Sequence, residues 1–96
     1  MVAGNMYTQK IACNNGSGAE QSFSNVGSTE RLFKVIPTTD VFVKFVPTSS
    51  TEVADNDDYF IAANVEREFE VGRGLDKIII RNESGNIANI HVAVLF

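Results

Sequence analysis

With 96 residues, 44% of them hydrophobic and 21% charged, the chain carries enough apolar material for one core without staples and is too apolar for a disordered segment. Its net charge is −4 and its eight Lys and Arg residues are scattered singly, so no basic stripe exists to neutralise phosphates and no nucleic-acid partner is expected. Cys13 is the single cysteine, which leaves no disulfide within the chain; MVAGNMYTQK lacks the pattern of a signal peptide, and no apolar run approaches the ~20 residues of a membrane helix. The expectation is a soluble protein made in a reducing cytoplasm, with no membrane partner.

The hydrophobic period is two almost throughout, which predicts strands. Residues 1–5 come first, as a flexible or partner-contacting N-terminal arm. Strands are expected over Met6–Cys13 and Ala19–Asn25, separated by the turn residues NNGSG. Arg31–Pro37 follows, then Asp40–Val46, where DVFVKFV sets Val41, Val43 and Phe45 on one face against Phe42, Lys44 and Val46. After Pro47, Ser49 and Glu52 stand at capping-box spacing and predict one helical turn near Ser50–Ala54. Tyr59–Ala63 and Val65–Val71 are the next strands; in VEREFEV, Val65, Phe69 and Val71 point inward with Arg67 among them, and Glu66, Glu68 and Glu70 point to water. Leu75–Asn82 sets Ile78 and Ile80 against Lys77, Ile79 and Arg81, and Ile87–Phe96 lines up Ile90, Val92, Val94 and Phe96. Between those two, NESGN predicts a tight hairpin with Gly85 in the left-handed position. About eight short strands and no sustained amphipathic helix make the fold class all-β. The reading is a single antiparallel β-sandwich or jelly-roll-like domain over residues 1–96.

VADNDDYFIAANVE, residues 53–66, looks most like a site, because Asp55, Asp57 and Glu66 stand at the first, third and twelfth positions of a calcium loop. The fifth position is Tyr59 and the sixth Phe60, where a ligand and a glycine are required. A solvated acidic loop entering a strand is the better reading; a weaker calcium site on Asp55, Asp57 and Asp58 is the alternative. Cys13 and His91 cannot fill a four-ligand metal site, and as a nucleophile–base pair they lack any oxyanion-hole motif. The row Glu66, Glu68, Glu70 stands 6.5–7 Å apart on one strand by ordinary strand geometry, about twice the ~3.3 Å rise, so it is a surface row and not a catalytic pair in a cleft. It either guards an edge against aggregation or meets a basic partner. No enzyme activity, cofactor or required metal is expected.

The order of segments RLFKVIPTTDVFVKFVPTSST and DDYFIAANVEREFEVGRGLDKIIIRNESGNIANIHVAVLF resembles that of small virion structural proteins of tailed bacteriophages. The resemblance covers roughly residues 19–96 and rests on pattern, with no fixed motif and no catalytic residue to carry over. It implies a β-sandwich or jelly-roll piece that decorates or cements a capsid, located in the virion. Its partners would be the major capsid protein or other virion proteins, together with its own copies in a trimer or dimer at a symmetry axis. The candidate partner contacts are Met1, Met6 and Tyr7 in an arm around residues 1–7, and Asn15, Ser49, Asp55, Asp57 and Asp58 in the loops at 14–18 and 48–58. Glu66, Glu68 and Glu70 complete the set. A tail- or neck-associated receptor- or carbohydrate-binding module is the alternative; with no Trp and only Tyr7 and Tyr59 as tyrosines, it has few rings to offer a sugar.

Overall fold

The computed structural model describes residues 6–14, 16–23, 31–72 and 74–95. Eight strands follow one another: β1 (Met6–Cys13), β2 (Ser17–Ser22), β3 (Arg31–Pro37), β4 (Val41–Val46), β5 (Tyr59–Ile61), β6 (Arg67–Val71), β7 (Lys77–Asn82) and β8 (Ala88–Leu95). They form two four-stranded sheets, in the orders β1-β8-β3-β6 and β2-β7-β4-β5, and every pairing is antiparallel. The pairs β1–β8, β2–β7, β3–β6 and β4–β5 are nested one inside the next, like a long ribbon folded at β4–β5 and wrapped across two layers. That is the jelly-roll arrangement. The expected all-β sandwich is the observed fold, and each expected strand is present with ends displaced by a few residues; Ser24, Asn25 and Phe96 lie outside the described residues.

Alternation builds the core. Ile11, Cys13, Phe33, Val35, Val71, Ile90, Val92 and Val94 come from one sheet and Val41, Val43, Ile61, Ile78 and Ile80 from the other, with Phe23 beside them. Burial of this kind contributes roughly 1.5–3 kcal/mol for each large side chain. Val41 and Val43 are buried and Phe45 partly so, while Glu66, Glu68 and Glu70 are exposed, as the period of two requires. Arg67 is exposed at the end of its strand instead of lying among the inward residues.

The expected hairpin at NESGN is not one, although Gly85 does adopt φ +90°. β7 and β8 lie in different sheets, so the turn carries the chain from one layer to the other. The reason is Asn82, fully buried, whose Nδ2 donates to Cys13 O (2.9 Å) and Asn86 O (2.7 Å) while Oδ1 accepts from Ser84 N (3.1 Å) and Ser84 Oγ (2.7 Å). A side chain that satisfies β1's last carbonyl and the turn's own backbone fixes the corner, which a pattern of turn residues does not reveal.

The expected helical turn near residues 50–54 is also absent. Ser50 N closes a turn on Pro47 O (2.9 Å) and Glu52 N is bonded by Ser50 Oγ (3.1 Å), so no capping box forms on Ser49. The stretch runs irregularly across the outer face of β4 and β7 and makes a small second cluster of Val46, Ala54 and Ile79. This is why Ile79, on the side opposite Ile78 and Ile80, is 1% exposed: a strand covered on both faces reads as a continuous apolar run. Lys77, also buried, donates Nζ to Ser50 O (2.6 Å) and pairs with Glu20 (3.3 Å).

Thr48 is held from β7's side by Asp76, whose Oδ1 accepts from Thr48 Oγ1 (2.8 Å) and Thr48 N (3.2 Å). The Thr48 hydroxyl above all, with its backbone N–H and the charge of Arg31, holds the Asp76 carboxyl below the usual carboxylate range. A carboxylate with a depressed folded-state pKa stabilises the fold above its unfolded pKa, and this contribution is lost as pH falls through the folded value. Asp76→Asn is therefore expected to lower stability at pH 7 and to flatten the acid limb below the ordinary Asp range, around pH 4, so that the difference between the two chains shrinks towards pH 3. Urea midpoints recorded from pH 7 to pH 3 for both chains check this, and parallel curves would refute it.

Candidate functional site

The sequence-predicted contacts do not gather into one patch. Met1 and Asn15 lie outside the described residues. Met6 and Tyr7, expected in a reaching arm, are strand residues of β1 paired with Leu95 and Val94, so an arm of residues 1–7 is ruled out at its last two positions. The loop expected as a contact tip at 48–58 is folded down in its first half, with Ala54 buried and Lys44 paired to Glu52 across it; that hydrogen bond raises the Lys44 pKa. Ser49 is exposed at its turn.

The acidic half of this loop is occupied with itself. Asp57 N donates to Asp55 Oδ1 (2.9 Å) and Asp55 N to Asp58 Oδ2 (2.9 Å), while Asp58 N reaches Asp55 O (3.2 Å). These carboxylates terminate backbone N–H groups in the manner of Asx turns. Among the described residues no group of three His, Cys, Asp or Glu side chains is placed to hold a metal ion. Glu66 is on the other sheet's side of the molecule, beyond the left-handed turn at Asn64 (φ 62°).

Cys13 and His91 point to opposite faces of the same sheet. Cys13 faces inward and is 2% exposed, its thiol donating to Ser17 O (3.4 Å), while His91 is exposed on the outer side. Desolvation pushes the Cys13 thiol pKa up, the reverse of what a nucleophile needs. A disulfide reagent such as DTNB is expected to label Cys13 only after denaturation. Stoichiometric labelling of the folded chain within minutes would show that β1 opens there.

Two surface features stand out among the described residues. On the outer face of the β1-β8-β3-β6 sheet, the register aligns Lys10, His91 and Ile36 in one row and Thr8, Ala93, Lys34 and Glu68 in the next. Lys34 pairs with Glu68 at 3.5 Å. The small Ala93 leaves a shallow depression there, which Lys10, Lys34, Ile36, His91 and Glu66 surround.

The second feature is aromatic, and sequence reasoning missed it. Rings pass from the core to the surface as Phe23–Phe33 (5.3 Å between centroids), Phe33–Phe45 (4.8 Å), Phe45–Phe69 (5.3 Å) and Phe69–Tyr59 (5.2 Å). Phe42 and Phe60 pair across β4 and β5 on the outer face (5.5 Å). Tyr59 is 52% and Phe60 50% exposed, both on the three-residue edge strand β5. The signal was the DDYF junction, where two large rings follow an acidic turn and one of them must face water in a period-two strand.

No family model and no curated protein matches the chain. A solved structure of Bacillus endospore appendages, described as a novel family of disulfide-linked pili, matches with a TM-score of 0.55 and 14% identity, over 100% of this chain and 93% of its own. A likeness at that identity is one of fold: the chain shares its β-sandwich architecture with a pilus protein.

Proposed function

We propose that the chain is a non-catalytic structural subunit that works by binding, as a decoration or cement protein on the capsid of a tailed bacteriophage. The observation that carries this reading is the half-exposed Tyr59 and Phe60 on a short edge strand, Tyr59 mounted on rings that lead into the core and Phe60 backed by Phe42 on the outer face. Large aromatic side chains with fixed backing are the usual energetic anchors of protein–protein contacts. A cement protein adds interface between capsid subunits, and each bound copy stabilises the shell by mass action. The pili of the structural neighbour are disulfide-linked; here the only cysteine is buried, so copies of this chain would associate without a covalent link through it.

Particles lacking the protein are expected to assemble but to break at lower temperature or lower salt. Particles carrying the Tyr59→Ala, Phe60→Ala chain should hold fewer copies. If particles without it prove equally robust but fail to attach to cells, the tail or neck receptor-binding reading replaces this one.

A further inference from the structure

We infer that the outer strands β1 and β6 of one sheet are complementary edges, and that a second copy of this chain adds head-to-tail by laying its β1 along β6. In the order β1-β8-β3-β6 these two strands are the outer ones, each paired on one side only among the described residues. Three successive antiparallel pairings make β6 antiparallel to β1. A copy placed alongside in the same orientation therefore continues the sheet as one antiparallel ladder, the geometry of strand addition.

Charge selects this pairing over the others. The β6 side presents Glu66, Glu68 and Glu70 outward, and Lys34 compensates only Glu68. On β1 the described outward positions are Thr8, Lys10 and Ala12, with Lys10 the only charge. The row Lys10–His91–Ile36 leads, one step beyond the last β3–β6 pair, to Glu66. A copy added without stagger sets its Lys10 beside Glu66, and a shift of two residues sets it beside Glu68; both juxtapose opposite charges on one face. Pairing β6 with β6 would set the glutamates against one another, and pairing β1 with β1 sets Lys10 against Thr8 or Lys10, so neither two-fold arrangement gains a charge pair. The other sheet does not invite the same addition. Its row Lys44–Ile79–Glu20 would bring Glu20 of the added copy towards Asp58, a like-charge contact. A head-to-tail contact is heterologous and generates rings or open filaments instead of closed dimers.

This rests on the reading of the chain as an assembly subunit and names its neighbour, at a surface other than the Tyr59–Phe60 pair. The test is sedimentation velocity of the full chain over a range of concentration and salt. The native chain is expected to form species larger than a dimer that shrink as salt rises. Lys10→Glu, and separately Glu66→Lys with Glu68→Lys, should each weaken association roughly tenfold or more, with circular dichroism unchanged; Lys10→Gln gives the same direction with a milder change. Mixing the two charge-reversed chains should restore species larger than a dimer, because each one's β1 then matches the other's β6. A native chain that stays monomeric, association that ignores both reversals, or restoration that stops at dimers overturns the inference. Loss of shell stabilisation with head-to-tail association intact overturns the proposed function alone.

Discussion

A chain lacking residues 94–96 is expected to lose its cooperative thermal melt or to become insoluble, whereas one lacking residues 1–4 should melt near the native temperature. β8 is the last strand but it is interior, paired with β1 on one side and β3 on the other. Ile90, Val92 and Val94 are 0%, 2% and 0% exposed. Deleting from Val94 removes one fully buried side chain, worth about 1.5–3 kcal/mol, and the partners of Tyr7, Met6, Phe33 and Leu32 in the two flanking ladders. A domain of this size has only ~5–15 kcal/mol of net stability, so the combined loss is of the same order as the whole. Circular dichroism with thermal melts on both truncations checks this. A native-like melt for the shorter C-terminus would mean that β1 and β3 hold without β8.

Replacing Asn82 with Ala is expected to be the most damaging single polar substitution, costing about 3 kcal/mol. The amide is the donor to two carbonyls of different segments, Cys13 O at the end of β1 and Asn86 O in the β7–β8 turn. Removing it leaves Cys13 O without that partner in a buried site, and Asn86 O in a partly buried one, at about 1–3 kcal/mol apiece with the second towards the low end. Asn82→Asp keeps the shape and the bonds from Ser84 but turns an acceptor towards both carbonyls, and should be at least as costly near pH 7. Ser84→Ala, which removes one hydroxyl from the same turn, should cost only ~0.5–1.5 kcal/mol. Urea denaturation of the three variants orders them. An Asn82→Ala chain within about 0.5 kcal/mol of native, the size of an ordinary surface substitution, would show that the turn does not depend on this amide.

Those two positions mark what the sequence could and could not convey. The alternation in IHVAVL announces its own burial, because period two is a local property of the chain. The long strands are legible for that reason, and so are the outward glutamates, whereas β2, SGAEQS, carries no apolar alternation of its own. The arrangement of the strands was less so: NESGN has the residues of a hairpin, yet the corner it makes depends on an Asn82 amide reaching a carbonyl sixty-nine residues earlier in the chain. The covering of Ile79 by residues 47–54 was hidden in the same way, since no local pattern states which loop lies on which face. The surroundings of the candidate contacts were the least legible. Asp55, Asp57 and Asp58 stand out in the sequence as charges, but the Asp55 and Asp58 carboxylates accept from the loop's own backbone, while Tyr59 and Phe60 read as ordinary apolar residues of a strand.

Burial of Lys77 has a further consequence, before folding is complete. Nested pairing means that β7 is flanked by β4 and β2, and the segments that cover its two faces come from distant parts of the sequence. Topologies built from such non-local pairings fold on the order of milliseconds to seconds. Throughout that interval the run Ile78, Ile79, Ile80 is available to other chains, and an uncharged β-branched run of this kind is a template for intermolecular stacking. Lys77 and Arg81 bracket it directly. In the unfolded chain both are solvated cations that set neighbouring copies against each other, the role of gatekeeper residues beside unavoidable apolar strands. The fold then disposes of them differently, sealing Lys77 under Ser50 O and Glu20 and leaving Arg81 partly open beside Glu83. A methionine at position 77 would fill the buried site but leave Ser50 O without its donor, and it would remove half of that protection when it is needed most.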